Sequence, residues 1–251
     1  MVLVSARYPG GSDACGAPTG YRAAMSDSTT AVLLDIDGTL VDSTYHHAVA
    51  WHRAFARHEE VPPLWRIHRT IGMGGDKLVA HVAGEEVEKR SGDKLREAWK
   101  EEYAALIDEV LPLPGAAELV RQLGERGHRV ALASSGDPAF SRHAMDLLGI
   151  GEDVELLTTA EDVEASKPEP DLIGETLSRL GGVEQAVLVG DTPYDVEAAA
   201  RAGLPCLTVL TGGFGRAELQ AAGASLVVDG PGDLLGLDWA PHLARSRRVR
   251  A

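Results

Sequence analysis

The chain has 251 residues, 44% of them hydrophobic and 25% charged, with a formal net charge of −14. That is an ordinary globular composition, long enough to bury a sizeable core, and its acidic balance excludes general electrostatic attraction to nucleic acid or to an anionic membrane. No apolar run approaches the roughly 18 residues of a membrane-spanning helix, and two cysteines, Cys15 and Cys206, make no disulfide framework, which fits a reducing cytoplasm.

Residues 1–30 are rich in Gly, Ser, Thr and Pro and lack periodicity, so they predict a disordered tail, with Met25 standing just ahead of the first strand as a second candidate start. Short apolar runs then recur: AVLLDI (31–36), HRVALAS (128–134), VELLTT (154–159), AVLVGD (186–191), PCLTVL (205–210) and SLVVD (225–229). Their successive apolar residues read as strands of a parallel sheet buried on both faces. Helical spacing occupies 115–126, 138–148, 169–180, 194–202 and 216–222, with Gly149, Gly181 and Gly203 where C-caps should fall. This alternation predicts right-handed crossovers and an α/β fold, a three-layer Rossmann-like parallel sheet core.

One segment breaks the alternation. Residues 43–112 contain no strand pattern, only amphipathic stretches such as TYHHAVAWHRAFARH, which puts Val49, Ala50, Ala54 and Phe55 near one face. A crossover needs far fewer residues, so the segment predicts an inserted helical cap domain. It lands at the C-terminal edge of the sheet, where open α/β folds bind ligands, and is placed to act as a lid. The division is a core of 31–42 and 113–240, a cap of 43–112, and a basic tail of 241–251 that reads as a solvated terminus.

Polar residues gather after the strands: Asp35 and Asp37 after the first; Ser134, Ser135 and Gly136 after the second; Ser166-Lys167-Pro168 downstream of the third; Gly190-Asp191-Thr192-Pro193-Tyr194-Asp195 after the fourth. In a parallel sheet these converge at one edge. Clustered carboxylates are tolerated where a divalent cation neutralises them, and an oxygen-only donor set favours Mg²⁺. A carboxylate can attack phosphorus and form an aspartyl phosphate. Gly38 supplies a bend that would let Asp37 reach the leaving-group oxygen as general acid and later activate water. Each piece has a bland reading too. Asp37-Gly38 is an ordinary turn pair, and Ser134 and Ser135 could solvate a turn. Asp137-Pro138 reads as the N-cap and first residue of a helix, Lys167 as a surface lysine, and Asp191-Thr192-Pro193 as a strand end and helix start. The ordered conjunction favours a site.

In that order the residues resemble the haloacid dehalogenase (HAD) superfamily. The DxDGT motif reads Asp35-Ile36-Asp37-Gly38-Thr39, the strand-end hydroxyl Ser134, the lysine Lys167, and GDxxxD runs from Gly190 to Asp195. The resemblance implies Asp35 as nucleophile and Mg²⁺ ligand. It implies Asp37 as general acid/base with its backbone carbonyl on the metal, and Asp191 and Asp195 as further members of the metal shell. Thr39, Ser134, Ser135, Gly136 and Lys167 would bind the substrate at its phosphoryl group, and Thr39 would also steady the first loop. The insert is similar to a C1-type cap. Asp37 argues against the dehalogenase and phosphonate-cleaving branches. The loop RTIGMGGDKLV has Gly72-Met73-Gly74-Gly75 where the β-phosphoglucomutase-like branch tends to carry an Arg, which favours a phosphatase. Arg66, His68, Arg69 and Lys77 flank that loop and read as solvated cap residues before anion contacts; TGGFG at 211–215 resembles phosphoglycolate-phosphatase-like members. His46 and His47 lack further ligands for zinc and read as helix surface or a cap–core contact. Asp42 and Ser43 read as the hinge and first helix cap of the lid.

The sequence therefore predicts a cytoplasmic Mg²⁺-dependent phosphatase of a small phosphorylated metabolite. It would be a monomer or homodimer with no nucleic-acid or membrane partner. A phosphosugar mutase and a non-catalytic binding module are the alternatives.

Overall fold

The first apolar run becomes β1 (Thr30–Leu34), the middle of a sheet that the computed structural model describes together with everything from residue 29 to 245. The expectations for 1–28 and 246–251 lie outside the described residues. Around β1 lie β2 (Arg129–Ala133), β3 (Leu156–Thr158), β4 (Gln185–Gly190), β5 (Cys206–Val209) and β6 (Leu226–Val228), all parallel in the order β3-β2-β1-β4-β5-β6. The helices are α1 (Thr44–Arg57), α2 (Leu64–His68), α3 (Gly75–Ala83), α4 (Glu85–Ala104), α5 (Ala116–Glu125), α6 (Pro138–Leu148), α7 (Asp171–Leu180), α8 (Pro193–Ala202) and α9 (Arg216–Ala222).

The strands are apolar on successive central residues because each feeds two cores. Val32, Leu34, Val130, Leu132, Val187 and Val189 face α5 and α6, where Leu119, Val120, Leu123 and Leu148 pack against them. Ala31, Leu33, Ala131, Ala186, Leu188 and Cys206 face α7 and α8, meeting Ile173, Val196 and Ala199. Each buried Val or Leu contributes about 1.5–3 kcal/mol. This is the expected three-layer α/β fold.

Strand β1 stops at Leu34, two residues short of the apolar run. Asp35 N still donates to Val189 O at 2.9 Å, but Gly38 then turns the chain at φ 76°. Helices α1 to α4 follow before β2, around a core of their own that includes Trp51, Phe55, Ile67, Leu78 and Leu95. The chain leaves and re-enters the sheet along one seam: Asp42 N donates to Leu111 O and Leu113 N to Leu40 O, each at 2.9 Å. Two sequence expectations change at the ends. Thr30 lies in β1 rather than in a tail. Residues 244–245 form a short β7 (Ala244–Arg245), antiparallel to β4, because the start of β4 leaves backbone groups free beyond its pairing with β5. No helix among the described residues is long and apolar enough to cross a membrane.

Candidate active site

Everything polar converges at the C-terminal ends of β1, β2 and β4. Lys167 is fully buried; its Nζ lies 2.7 Å from Asp35 Oδ1 and 2.8 Å from Asp195 Oδ1. A buried ammonium persists only where its charge is matched. Burial works against it, but Asp195 and Asp35 outweigh that and hold it above its ordinary pKa. Burial pushes Asp35 up to about 7, opposed by Lys167 and aided by Asp195 and Asp37. Asp191 lies well above the usual carboxylate range, through burial first and then Asp195 and Asp35.

Asp35, Asp191 and Asp195 present oxygens that all lie within 4.8 Å of one another. Three buried carboxylates against one ammonium leave an excess of negative charge. Asp191 Oδ1 accepts from Thr39 Oγ1 at 3.1 Å, while its buried Oδ2 has no hydrogen-bond partner. The donor set and the orphaned oxygen fit a hard divalent cation. Asp195 is differently placed. Its Oδ2 takes Thr192 N at 3.0 Å and Thr192 Oγ1 at 2.6 Å, closing the capping box of α8, while Oδ1 faces Lys167. Thr39 is fully buried, with its hydroxyl spent on Asp191.

Asp37 stands apart from the carboxylate cluster. Its Oδ1 accepts from Ser43 Oγ at 2.6 Å and lies 2.9 Å from His47 Nε2. Burial raises its pKa, yet His47 and then Ser43 outweigh burial and hold the carboxyl below its usual range. Ser43 thus occupies the N-cap position of α1 without capping it, because its hydroxyl is spent on Asp37. His47 stacks on Tyr103 with ring centroids 3.8 Å apart and on Trp99 at 5.6 Å.

A small cavity of about 40 Å³ is walled by Asp35, Asp37, His47, Ser134, Ser135 and Gly136, with Trp51, Ile71 and Gly72 closing it from the insert. Ser134 Oγ accepts from Gly136 N at 3.0 Å. A Cβ on Gly136 would sit 3.0 Å from that hydroxyl and 3.3 Å from Asp37 Oδ2, so a glycine keeps this wall open. Asp137 caps α6 through Ala139 N at 2.8 Å, the bland reading of that residue.

The basic residues beside the glycine loop reach the sheet domain rather than the cavity. His68 bonds Gly212 O at 3.0 Å; Arg69 pairs with Glu218 and lies 4.2 Å over the Phe214 ring; Lys77 donates to Ser166 O at 2.9 Å; Arg66 is exposed. Gly74 N donates to Ser166 Oγ at 3.1 Å, and that hydroxyl donates in turn to Asp76. Sequence reasoning did not identify Asp37 as the partner of Ser43 and His47. The legible signal was their separation by four residues at the start of an amphipathic helix, which puts both on one face.

Residues 29–203 match the haloacid dehalogenase-like hydrolase family. A validoxylamine A 7'-phosphate phosphatase of Streptomyces hygroscopicus subsp. limoneus is 34% identical over 71% of this chain and 84% of its own length. A phosphoglycolate phosphatase of Rhodospirillum rubrum is 29% identical over 83% of this chain and 90% of its own. The crystal structure of a hydrolase from Pseudomonas syringae superposes with a TM-score of 0.77 at 31% identity, covering 82% of this chain and 96% of that one.

Proposed function

The chain belongs to the haloacid dehalogenase-like hydrolases, and from that premise we propose that this phosphatase hydrolyses a small phosphorylated metabolite through an aspartyl phosphate on Asp35, with Mg²⁺. The observation that carries the reading is a single contact. Asp35, at the wall of a cavity sized for little more than a phosphoryl group, is held by the buried ammonium of Lys167 at 2.7 Å.

Asp35 keeps one oxygen on Lys167 and attacks phosphorus with the other. The new bond from the carboxylate oxygen to phosphorus forms as the ester P–O bond breaks, and Asp37 in its protonated form gives the leaving oxygen the proton it needs, becoming the carboxylate. Ser134 and the backbone beside Gly136 hold phosphoryl oxygens. Water then attacks the same phosphorus, Asp37 accepts its proton, and Asp35 is released as a carboxylate. His47 and Ser43 fix Asp37 Oδ1 and favour its ionised form, the one that accepts the proton from water in the second step. Asp35 and Asp191, with Asp195 in support, would hold the Mg²⁺, which would supply positive charge against that of the carboxylates and the phosphoryl group. The insert at 43–112 acts as the lid, excluding bulk water through Trp51, Ile71 and Gly72. A cytoplasmic monomer or homodimer without nucleic-acid or membrane partners belongs to the same reading, supported by the acidic charge and the buried, free Cys206.

Phosphate release from p-nitrophenyl phosphate with Mg²⁺ tests it. Wild type should turn over, and Asp35→Asn should abolish release while circular dichroism stays unchanged. An undiminished Asp35→Asn enzyme would remove Asp35 as nucleophile. Interconversion of sugar-phosphate isomers dependent on a bisphosphate would instead indicate a mutase.

A further inference from the structure

The phosphoryl cavity opens beside a second, far larger one. About 540 Å³ lies between α3 and α4 of the insert and the loops after β2 and β3 of the sheet domain, and its walls share Ser135 and Gly136 with the phosphoryl cavity. A phosphate seated on Asp35 has its leaving group beside this space. What the space accepts therefore selects the substrate.

Its charge is one-sided. Asp76, Asp93, Glu97, Asp137, Glu161 and Glu164 line it, against Arg96 and Lys100. Both cations are already engaged. Arg96 spans Glu88 and Asp93 at 2.9 and 2.8 Å and also donates to Gly75 O at 3.0 Å. Lys100 lies 2.6 Å from Asp137. Among the described residues Glu97, Glu161 and Glu164 have no ion-pair partner, so the wall keeps an uncompensated negative field. Trp99, Pro138, Ala160 and Val163 give the wall an apolar part. Trp99 stacks on His47 and so joins this wall to the partner of Asp37.

We propose that this cavity is the leaving-group subsite, and that it takes a hydroxylated ring that is uncharged or bears an amine, and rejects a second anion such as a carboxylate or another phosphate. This rests on the phosphatase reading above for the seat of the phosphate. The physics is specific. An anionic leaving group would face the carboxylates with no free cation to pair with, and like charges brought together in a partly desolvated cleft oppose binding. An amine would instead find Glu97, Glu161 or Glu164 as counter-charge, and the hydroxyls of a sugar-like ring can bond those carboxylates while its carbons meet Pro138 and Val163. The volume also exceeds what a two-carbon leaving group fills, leaving water where a larger one would gain contact.

Binding to Asp35→Asn, measured by calorimetry with Mg²⁺ present, reads the preference without requiring turnover. Glucosamine 6-phosphate and glucose 6-phosphate should bind about ten-fold or more tighter than 2-phosphoglycolate or fructose 1,6-bisphosphate. The triple variant Glu97→Gln, Glu161→Gln, Glu164→Gln in the same background should narrow that ratio several-fold. Far-UV circular dichroism of the triple variant should match that of its parent, which separates loss of the subsite's charge from loss of the fold. Equal or tighter binding of the carboxylate and bisphosphate ligands overturns the proposal. So does a Lys100→Gln variant that selectively loses the anionic ligands, since Lys100 would then be leaving Asp137 to receive them. Loss of p-nitrophenyl phosphate turnover in wild type would count against the phosphatase reading alone.

Discussion

His47 Nε2 lies 2.9 Å from Asp37 Oδ1, so the first helix of the insert ends its approach on the loop that follows β1. The contact ties the first helix of the insert to a carboxylate that lies outside the cluster of Asp35, Asp191 and Asp195. Burial alone would raise Asp37; His47 and Ser43 reverse that and favour its ionised form. An ionised group with a depressed pKa is lost as pH falls through that pKa. Removing His47 by His47→Ala leaves burial in place and takes away the main opposing influence, so the pKa rises. The acidic limb of kcat against pH, measured with saturating Mg²⁺, is expected to move upward. An unmoved limb would show that His47 only fills space.

Lys167 balances two buried carboxylates, so its loss leaves both uncompensated. Lys167→Met should cost about 3–5 kcal/mol of folding stability in the metal-free protein. Raised carboxylate pKa values make the deficit grow as pH climbs from 4 toward 7, because the unfolded chain ionises first. Urea unfolding at two pH values checks both the size and the direction. Equal stability to wild type would mean that Lys167 is not the counter-ion that the distances imply.

Asp191 Oδ2 is buried without a hydrogen-bond partner, beside two other carboxylates. Two effects of Asp191→Asn should therefore separate. Without metal, the variant should melt at or above wild type, since like-charge repulsion is relieved. With Mg²⁺ at about 100 times its Kd, wild type should gain about 2.7 kcal/mol that the variant lacks. Differential scanning calorimetry with and without EDTA measures both; a variant that keeps the full Mg²⁺ response would place the ion elsewhere.

Gly212, in the turn after β5, leaves no room for a side chain: a Cβ there would lie 1.9 Å from Asp191 Oδ2. Gly212→Ala should displace that carboxylate. Activity should fall about ten-fold or more, with a weakened Mg²⁺ dependence, while the sheet cores stay intact. Mg²⁺ titration of activity beside far-UV circular dichroism checks it. Undiminished activity would show that the turn relaxes away from Asp191.

The sequence by itself determined the sheet and the order of polar groups at its edge. Strands that are apolar on successive residues must be buried on both faces, and helices between them force parallel crossovers. Asp35, Lys167 and Asp191 were legible for the same reason, since each follows a strand that had to end at the same edge. Tertiary structure decided the rest, because it depends on approach between segments distant in the chain. Ser43 looked like a helix cap until the fold brought Asp37 within 2.6 Å of its hydroxyl. His68, Arg69 and Lys77 looked solvated until the insert settled on Gly212, Glu218 and Ser166. The large cavity has no motif at all: its walls come from α3, α4 and two loops that lie beyond α5 in the chain, and only packing brings them and their charges together. Local pattern specifies which backbone hydrogen bonds form; the space between two packed units is specified by neither unit alone.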